Sequence, residues 1–385
     1  MIKKICVVIT ARPSYSRIKT LLSAIQGNPN LELQLILGAS ALLERYGSVI
    51  DIIKQDGFEP NEIIHMVIEG ADLSTSAKST GLGIIELSSA FNNLKPDIVV
   101  TVADRFETIA TAIAASYSNI PLAHVQGGEI SGSIDEKVRH AVTKLSDIHF
   151  VATTKSKERL IKMGESKNSI FLTGCPSIDI VKTVIEDSRY KDFNPFNLYG
   201  GVGNKFDPKS GYIVVLQHSV TTEYSDTSYQ IEQTLSAIQQ INYPAFWFWP
   251  NIDAGSDKIS KSIRMHRESN QLESVFFLKN VSPEDFIKLL IGAKCLVGNS
   301  SAGIRECAYI GTPVVNIGSR QAGRERSLNV IDVEYKSSMI LKSLQDQITK
   351  GRYAKNTIYG DGSAGLQISN LLETQNPSID KKISY

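Results

Sequence analysis

Residues 293–306 read AKCLVGNSSAGIRE: a short apolar run, two serines, Ser300 and Ser301, set between glycines, and a glutamate, Glu306, about one turn further in. A buried strand that turns through small residues into a helix leaves the first backbone N–H groups of that helix without partners, at the positive end of its dipole. Such a corner binds anions, most often phosphate. Ser300 and Ser301 add hydroxyl donors, and Glu306 stands where it can accept hydrogen bonds from a ribose diol. The stretch points to a strand–turn–helix unit that holds a nucleotide diphosphate, although serines that only cap a helix read the same way.

The same unit recurs in both directions along the chain. Short β-branched runs alternate with helical patterns, the sign of parallel sheets with crossover helices. In the first part the strands are ICVVIT, ELQLIL, a brief IIHMV, DIVVTV, LAHVQ, IHFVAT and SIFLT; after a polar stretch at 187–211 follow YIVVLQ, AFWFW, SVFFL, KCLVG, PVVNI and NVIDV. Ile18, Leu21, Leu22 and Ile25 repeat at i, i+3, i+4 and i+7 and predict a helix over 16–26. A chain of 385 residues exceeds the size at which one core stops growing. The expected architecture is α/β, with Rossmann-like domains over 1–180 and 181–363, parallel sheets, and an active site in the cleft that joins them. The polar tail, 364–385, is expected either to fray or to pack back on the first domain.

Composition excludes several classes. A net charge of +1 with interspersed signs supplies no field for nucleic acid or an anionic membrane. The four cysteines, Cys6, Cys175, Cys295 and Cys307, lack metal or disulfide spacing and fit reduced, packed thiols in a cytoplasmic protein. MIKKICVVITAR imitates a signal peptide, but Arg12 cuts its apolar run short, so it reads as a first buried strand.

Ligands in open α/β sheets bind beyond the carboxyl ends of strands, and six further corners carry chemistry there. ITARPSYSR places Arg12 past strand one, with Ser14 or Ser16 set to cap the next helix. VTVADRFE places Asp104, with Arg105 beside it, after a strand apolar enough to be buried. LAHVQGGEISGSIDEKVRH is the densest: Gly127 and Gly128 allow a sharp turn or close approach to a ligand, Glu129 follows, and Asp135 and Glu136 open a helix carrying Arg139 and His140. In the second half His218 ends the strand of YIVVLQHSVTTE, Asn251 and Asp253 follow FWFWP, and IGSRQAGRERS carries Arg320 with two more arginines, either a phosphate or ribose clamp or an exposed basic loop.

In combination these segments resemble the hydrolysing UDP-N-acetylglucosamine 2-epimerases, especially the epimerase half of the bifunctional animal enzyme that begins sialic acid synthesis. The matching segments are ADRFE, HVQGGEISGSIDEKVRHAVTKL, TGCPSID, LQHSVTTE, PNIDAGS, GNSSAGIRE, GTPVVNIGSRQAGRE and IYGDG, in order up to about residue 363. The resemblance implies a fold of the glycosyltransferase B type, UDP held mainly by the C-terminal half, and release of UDP and free N-acetylmannosamine. One departure is Gln126, where relatives carry Glu or His: an acid–base duty there does not transfer to a carboxamide. Non-hydrolysing epimerases typically have E-A-G where this chain has Gln126, Gly127 and Gly128, which favours the hydrolysing group.

Such a reaction removes a barely acidic C2 proton as UDP leaves C1, passes through a 2-acetamidoglucal, and returns water to C1 and a proton to the opposite face of C2. It asks for carboxylates near C2 and for cationic or N–H donors on the departing phosphates. Asp104, Glu129 and Asp135 form the expected acid–base set, with the one that takes the C2 proton left open. His218 joins them in catalysis, stabilising the leaving pyrophosphate together with Arg12. Ser300 and Ser301 bind the pyrophosphate, Glu306 holds the ribose, and Ser16, Arg105, Asn251 and Arg320 complete the substrate contacts. No cofactor and no metal is expected, nor a nucleic-acid or membrane partner; the group implies a homodimer or homotetramer. A non-hydrolysing epimerase, a sugar transferase of the same fold and a nucleotide-sugar-binding regulator are the alternatives.

Overall fold

The computed structural model describes residues 2–43, 49–68, 72–102, 106–132, 135–189, 193–250, 253–269 and 271–384, with the backbone alone at 12, 73, 106 and 135. The chain divides into two compact units, one of Met1–Glu129, Ile134–Ile180 and Tyr359–Tyr385, the other of Ile130–Ser133 and Val181–Ile358.

The first unit holds β1 (Lys3–Ile9), β2 (Leu31–Gly38), β3 (Glu62–Ile64), β4 (Ile98–Val102), β5 (Leu122–Val125), β6 (Ile148–Val151) and β7 (Ile170–Leu172) in the order β3-β2-β1-β4-β5-β6-β7. All its pairings are parallel. The second holds β8 (Gly201–Gly203), β9 (Ile213–Leu216), β10 (Ala245–Phe248), β11 (Val275–Leu278), β12 (Cys295–Gly298), β13 (Val314–Ile317) and β14 (Val330–Val333) in the order β14-β13-β12-β9-β10-β11-β8. Apart from β8, this is the doubly wound order of the first sheet. Each sheet reverses its winding once, between β1 and β4 and between β9 and β12, and the crevice at such a reversal is where ligands of this fold class sit. The α/β class with two Rossmann-like sheets is thus the one expected, both of them parallel apart from the edge strand β8.

Apolar alternation sets which residues face the helices. Every residue of β4 and β5 is buried, as strands covered on both faces must be. Two clusters flank the first sheet, one around Val7, Leu22 and Val100, the other around Cys6, Leu87 and Val99. In the second unit Val215, Leu235, Trp247, Ile263 and Leu344 share one cluster. Each such side chain, taken from water, contributes roughly 2 kcal/mol.

Two local expectations need correction. The helix read over 16–26 is two, Arg12–Ser16 and Lys19–Gln26, with Ile18 as the cap of the second; Ile18, Leu21, Leu22 and Ile25 are nevertheless all buried. The polar stretch 187–211 contains the strand β8, antiparallel to β11. Its glycines hide it from pattern reading but permit it. A Cβ on Gly201 would lie 2.4 Å from the Phe277 carbonyl oxygen, and one on Gly203 2.2 Å from that of Val275.

The end of the chain belongs to the first unit. The buried Asp179 carboxylate accepts from the Ala364 and Gly365 N–H groups at 2.9 and 2.7 Å and from the Thr20 hydroxyl at 2.9 Å, fixing the start of the helix Ala364–Thr374. Lys3 Nζ donates to the Leu372, Glu373 and Gln375 carbonyls at its other end. Beyond it, Lys381 and Lys144 each meet the Glu165 carboxylate at 2.7 Å, and His149 Nε2 lies 3.0 Å from it.

Burial alone would raise the Glu165 carboxyl, but hydrogen bonds from His149, Lys144 and Lys381 outweigh it and hold it at about 2, against an ordinary 4.5. A carboxyl depressed by folding stabilises the native state fully above about pH 4.5 and loses that contribution as pH falls to about 2. Glu165→Gln should lower stability by roughly 3 kcal/mol at neutral pH, by leaving its cationic partners uncompensated. Thermal melts followed by circular dichroism should then show a smaller acid-induced fall in Tm across that window than in the parent chain. Parallel pH profiles would contradict the assignment.

Candidate active site

In the first unit the chemistry gathers where β5 ends. Gln126 takes φ +68° and Gly128 φ +76°, so the chain reverses sharply and brings Glu129 into a buried position. The two glycines are required by the protein's own packing. A Cβ on Gly127 would stand 2.9 Å from His124 Nδ1, and one on Gly128 2.5 Å from the Ser156 carbonyl oxygen. Of the two sequence readings of this pair, the sharp turn holds, and the close approach is to a neighbouring helix, Thr154–Lys162.

Guanidinium groups then fix consecutive carbonyls of the turn. Arg159 donates to the Gly128 carbonyl, and the fully buried Arg139 donates to that of Glu129 at 2.7 Å. Arg139 also meets Glu136 at 2.8 Å, and the other oxygen of Glu136 lies 2.8 Å from His140 Nε2. Glu136 is therefore a bridge inside the helix Asp135–Leu145, while Asp135 is the first residue of that helix. The Gln126 carboxamide donates to Cys175 Sγ at 2.6 Å, which directs it toward the start of the helix Pro176–Glu186.

The corner after β1 differs from expectation in its caps. Ala11 precedes the helix Arg12–Ser16 without a side-chain cap bond, Ser14 is buried within the helix, and Ser16 Oγ turns back to the Pro13 carbonyl at 3.1 Å. Arg12 is the helix's first residue. Asp104, Arg105 and Asn251 lie outside the described residues.

In the second unit β9 and β12 run side by side, with Gly298 opposite Leu216. Gly298 has φ +131°, and a Cβ there would meet the Leu216 carbonyl oxygen at 2.2 Å. The chain passes from it through Asn299 into a 3-10 turn, Ser301–Gly303, capped by Ser300 Oγ on the Ala302 N–H at 3.3 Å. The helix expected at these serines is this turn followed by a five-residue α-helix, Glu306–Ile310. Glu306 is buried, and its Oε2 has no hydrogen-bond partner among the described residues. A buried acceptor in that condition is costly without a donor, and a ligand hydroxyl is one way to supply it.

His218, the second residue beyond β9, is buried and tied through its backbone to the Asn299 side chain at 2.8 Å in each direction. Arg320, in the loop after β13, reaches the Asn299 carbonyl at 3.3 Å and stands 3.8 Å from Asp253. Its neighbours are spent internally: Arg324 on Gln321 Oε1 at 2.9 Å, and Arg326 on the Gln321 carbonyl and Asp332. The arginine loop is thus not an exposed basic loop. His218, Ser300 and Arg320 converge on one end of the sheet, and Ser301 and Glu306 follow within the same turn and helix.

Pattern reading passed over Asn299, Arg159 and the pair Glu223–Ser319, whose carboxylate and hydroxyl are hydrogen-bonded. Only Asn299 carried a signal, since a short carboxamide just after a glycine at a strand end readily imitates a peptide group. All four cysteines are buried, and burial raises the thiols of Cys6, Cys295 and Cys307, with Glu306 raising Cys307 further. Cys6, Cys295 and Cys307 are packing groups and not thiolate nucleophiles.

A family model described as UDP-N-acetylglucosamine 2-epimerase matches residues 23–373. The chain is 35% identical to a UDP-N,N'-diacetylbacillosamine 2-epimerase (hydrolyzing) of Legionella pneumophila, over 97% of this chain and 96% of that one. It is 30% identical to a GDP/UDP-N,N'-diacetylbacillosamine 2-epimerase (hydrolyzing) of Campylobacter jejuni, over 86% of this chain and 84% of that one. Its fold matches the crystal structure of UDP-GlcNAc 2-epimerase from Neisseria meningitidis bound to UDP-GlcNAc with a TM-score of 0.77 at 17% identity, covering 97% of this chain and all of that one. From the doubly wound sheets and this near full-length agreement, the chain belongs to the UDP-N-acetylglucosamine 2-epimerase family.

Proposed function

We propose that the protein is a hydrolysing 2-epimerase that converts a UDP-2-acetamido sugar to UDP and the free C2-inverted sugar, a product of the kind used in sialic-acid-type sugar synthesis. The observation that carries this reading is the 35% identity along nearly the whole chain to a relative named as hydrolyzing. UDP-N-acetylglucosamine is the substrate read from the sequence, with N-acetylmannosamine as product. The names of the Legionella and Campylobacter relatives favour a second sugar, UDP-N,N'-diacetylbacillosamine, on the same chemistry. The proposal includes a cytoplasmic homodimer or homotetramer, as the cysteines and the resemblance imply.

In this mechanism Asp104, Glu129 and Asp135 form the acid–base set. One takes the C2 proton while the C1–O bond to UDP breaks; the resulting glucal then gains water at C1 and a proton at C2 from the other face. The Glu129 main chain is held by Arg139, which fixes where its carboxylate starts. Rigid placement of this kind lowers the barrier by removing reorganisation from the reacting step. Donors for the charge that builds on the departing pyrophosphate are His218, Ser300 and Ser301, with Arg12. Glu306 holds the ribose, and Ser16, Arg105, Asn251 and Arg320 add contacts to the substrate.

Incubation with UDP-N-acetylglucosamine, and separately with UDP-N,N'-diacetylbacillosamine and its GDP analogue, in deuterated water should release the nucleoside diphosphate and a free sugar inverted at C2 and carrying deuterium there, as read by NMR. A nucleotide-linked product with no free diphosphate would instead identify a non-hydrolysing epimerase, and turnover only with an added acceptor a transferase. Asp104→Asn and Glu129→Gln should each lower kcat by about 10²- to 10⁴-fold while UDP still binds; unchanged turnover removes that residue from the mechanism. Ser301→Ala should weaken UDP in calorimetry, and undiminished affinity would count against the pyrophosphate assignment.

A further inference from the structure

The reversal point between β9 and β12 contains an arrangement that the proposed chemistry does not by itself require. Up to Gly298 the two strands pair through their backbones, and the Asn299 N–H still reaches the Leu216 carbonyl at 3.1 Å. There the main chains part, because β12 turns away into the serine corner. The next polar groups along β9, the N–H and C=O of His218, lose the strand that would have paired them. Both are buried, and a buried peptide group without partners is strongly unfavourable.

The Asn299 side chain fills the gap. Its Oδ1 accepts from the His218 N–H and its Nδ2 donates to the His218 carbonyl, each at 2.8 Å. One carboxamide thereby continues the ladder by one residue after the backbone has left it. Asn299 is itself fully buried, and its own carbonyl accepts from Gln321 Nε2 at 2.8 Å and Arg320 Nη1 at 3.3 Å. Three separate segments, after β9, β12 and β13, therefore meet on this single residue. Exchanging the two ends of the amide would place an N–H against an N–H and an oxygen against an oxygen, so its orientation is fixed.

We infer that Asn299 is a positioning residue of the site, its carboxamide standing in for a strand neighbour so that His218 is held against the segment that carries Ser300, while its main-chain carbonyl receives Arg320. The inference rests on the reading that His218 acts on the leaving diphosphate. Asn299 does not itself touch the substrate; it acts through His218. Aspartate at 299 has the same shape and keeps the acceptor, but sets an oxygen against the His218 carbonyl, and so removes half of the clamp.

The test has two arms. Amide hydrogen exchange of the unmodified protein should show the His218 N–H protected like the strand residues of β9, although it lies beyond the strand; exchange at the rate of an open loop overturns the inference, whatever the protein catalyses. In the second arm, Asn299→Asp should lower kcat by about 10²-fold, with a much smaller change in KM. In a His218→Ala background the same substitution should have almost no further effect, because the two act as a unit. Additive losses in the double variant overturn it, since they are the mark of a merely structural role. If Asn299→Asp does not fold, as judged by its melting curve, the exchange arm decides alone. If the unmodified protein is inert toward nucleotide sugars, the functional reading fails and the exchange arm still stands or falls independently.

Discussion

Where two parallel strands part, the peptide groups just beyond the last shared pair have lost their neighbours and must find others. That constraint governs the second sheet. Gly298 is needed because no side chain fits against the Leu216 carbonyl, the departure it allows opens the crevice, and Asn299 then closes the hydrogen-bond deficit on His218. The serine turn, the buried Glu306 and the arginine loop all take their places from that parting. An arrangement with a bulkier residue at 298 or an apolar one at 299 would keep the strand order and lose the corner.

The first unit answers a comparable demand by other means. Its turn after β5 uses left-handed backbone at Gln126 and Gly128 and packs against Ser156 and His124 without room for a Cβ. Such a turn leaves carbonyls facing inward, and the guanidiniums of Arg139 and Arg159 satisfy them. Charge-assisted bonds of this type are shorter and stronger than neutral ones, which suits a loop that must present a carboxylate from a fixed main chain. At the far end of the same unit, the helix Ala364–Thr374 and the tail after it are held by Asp179, Lys3 and Glu165. The residues that anchor the end of the chain are thus distinct from those at the carboxyl ends of the strands.

Much of this was legible in the sequence, for physical reasons that also explain the rest. Thirteen of the fourteen strands among the described residues announce themselves as apolar β-branched or aromatic runs; inner strands such as β4 and β5, covered on both faces, have little other composition open to them. The exception, β8, is read from GVG; close approach to Phe276 and Phe277 selects glycine there, and glycine carries no hydrophobic signal. The break after Ser16 is invisible to periodicity, since Ile18 is buried whether it lies in a helix or caps one. Of the site, the positions of His218, Glu129 and the serine pair at strand ends follow from the alternation of elements. The Asn299 clamp and the Arg139 and Arg159 braces do not, because each depends on a tertiary partner distant in sequence.

The account turns on the nucleotide occupying the corner where β9 and β12 separate. Crystallography of the chain with UDP tests this most directly. The pyrophosphate should lie within hydrogen-bonding distance of Ser300, Ser301 and His218, with the ribose hydroxyls on Glu306 and the Asn299–His218 bonds intact. Density for UDP at any other end or face of the sheet, with the serine corner empty, would contradict it.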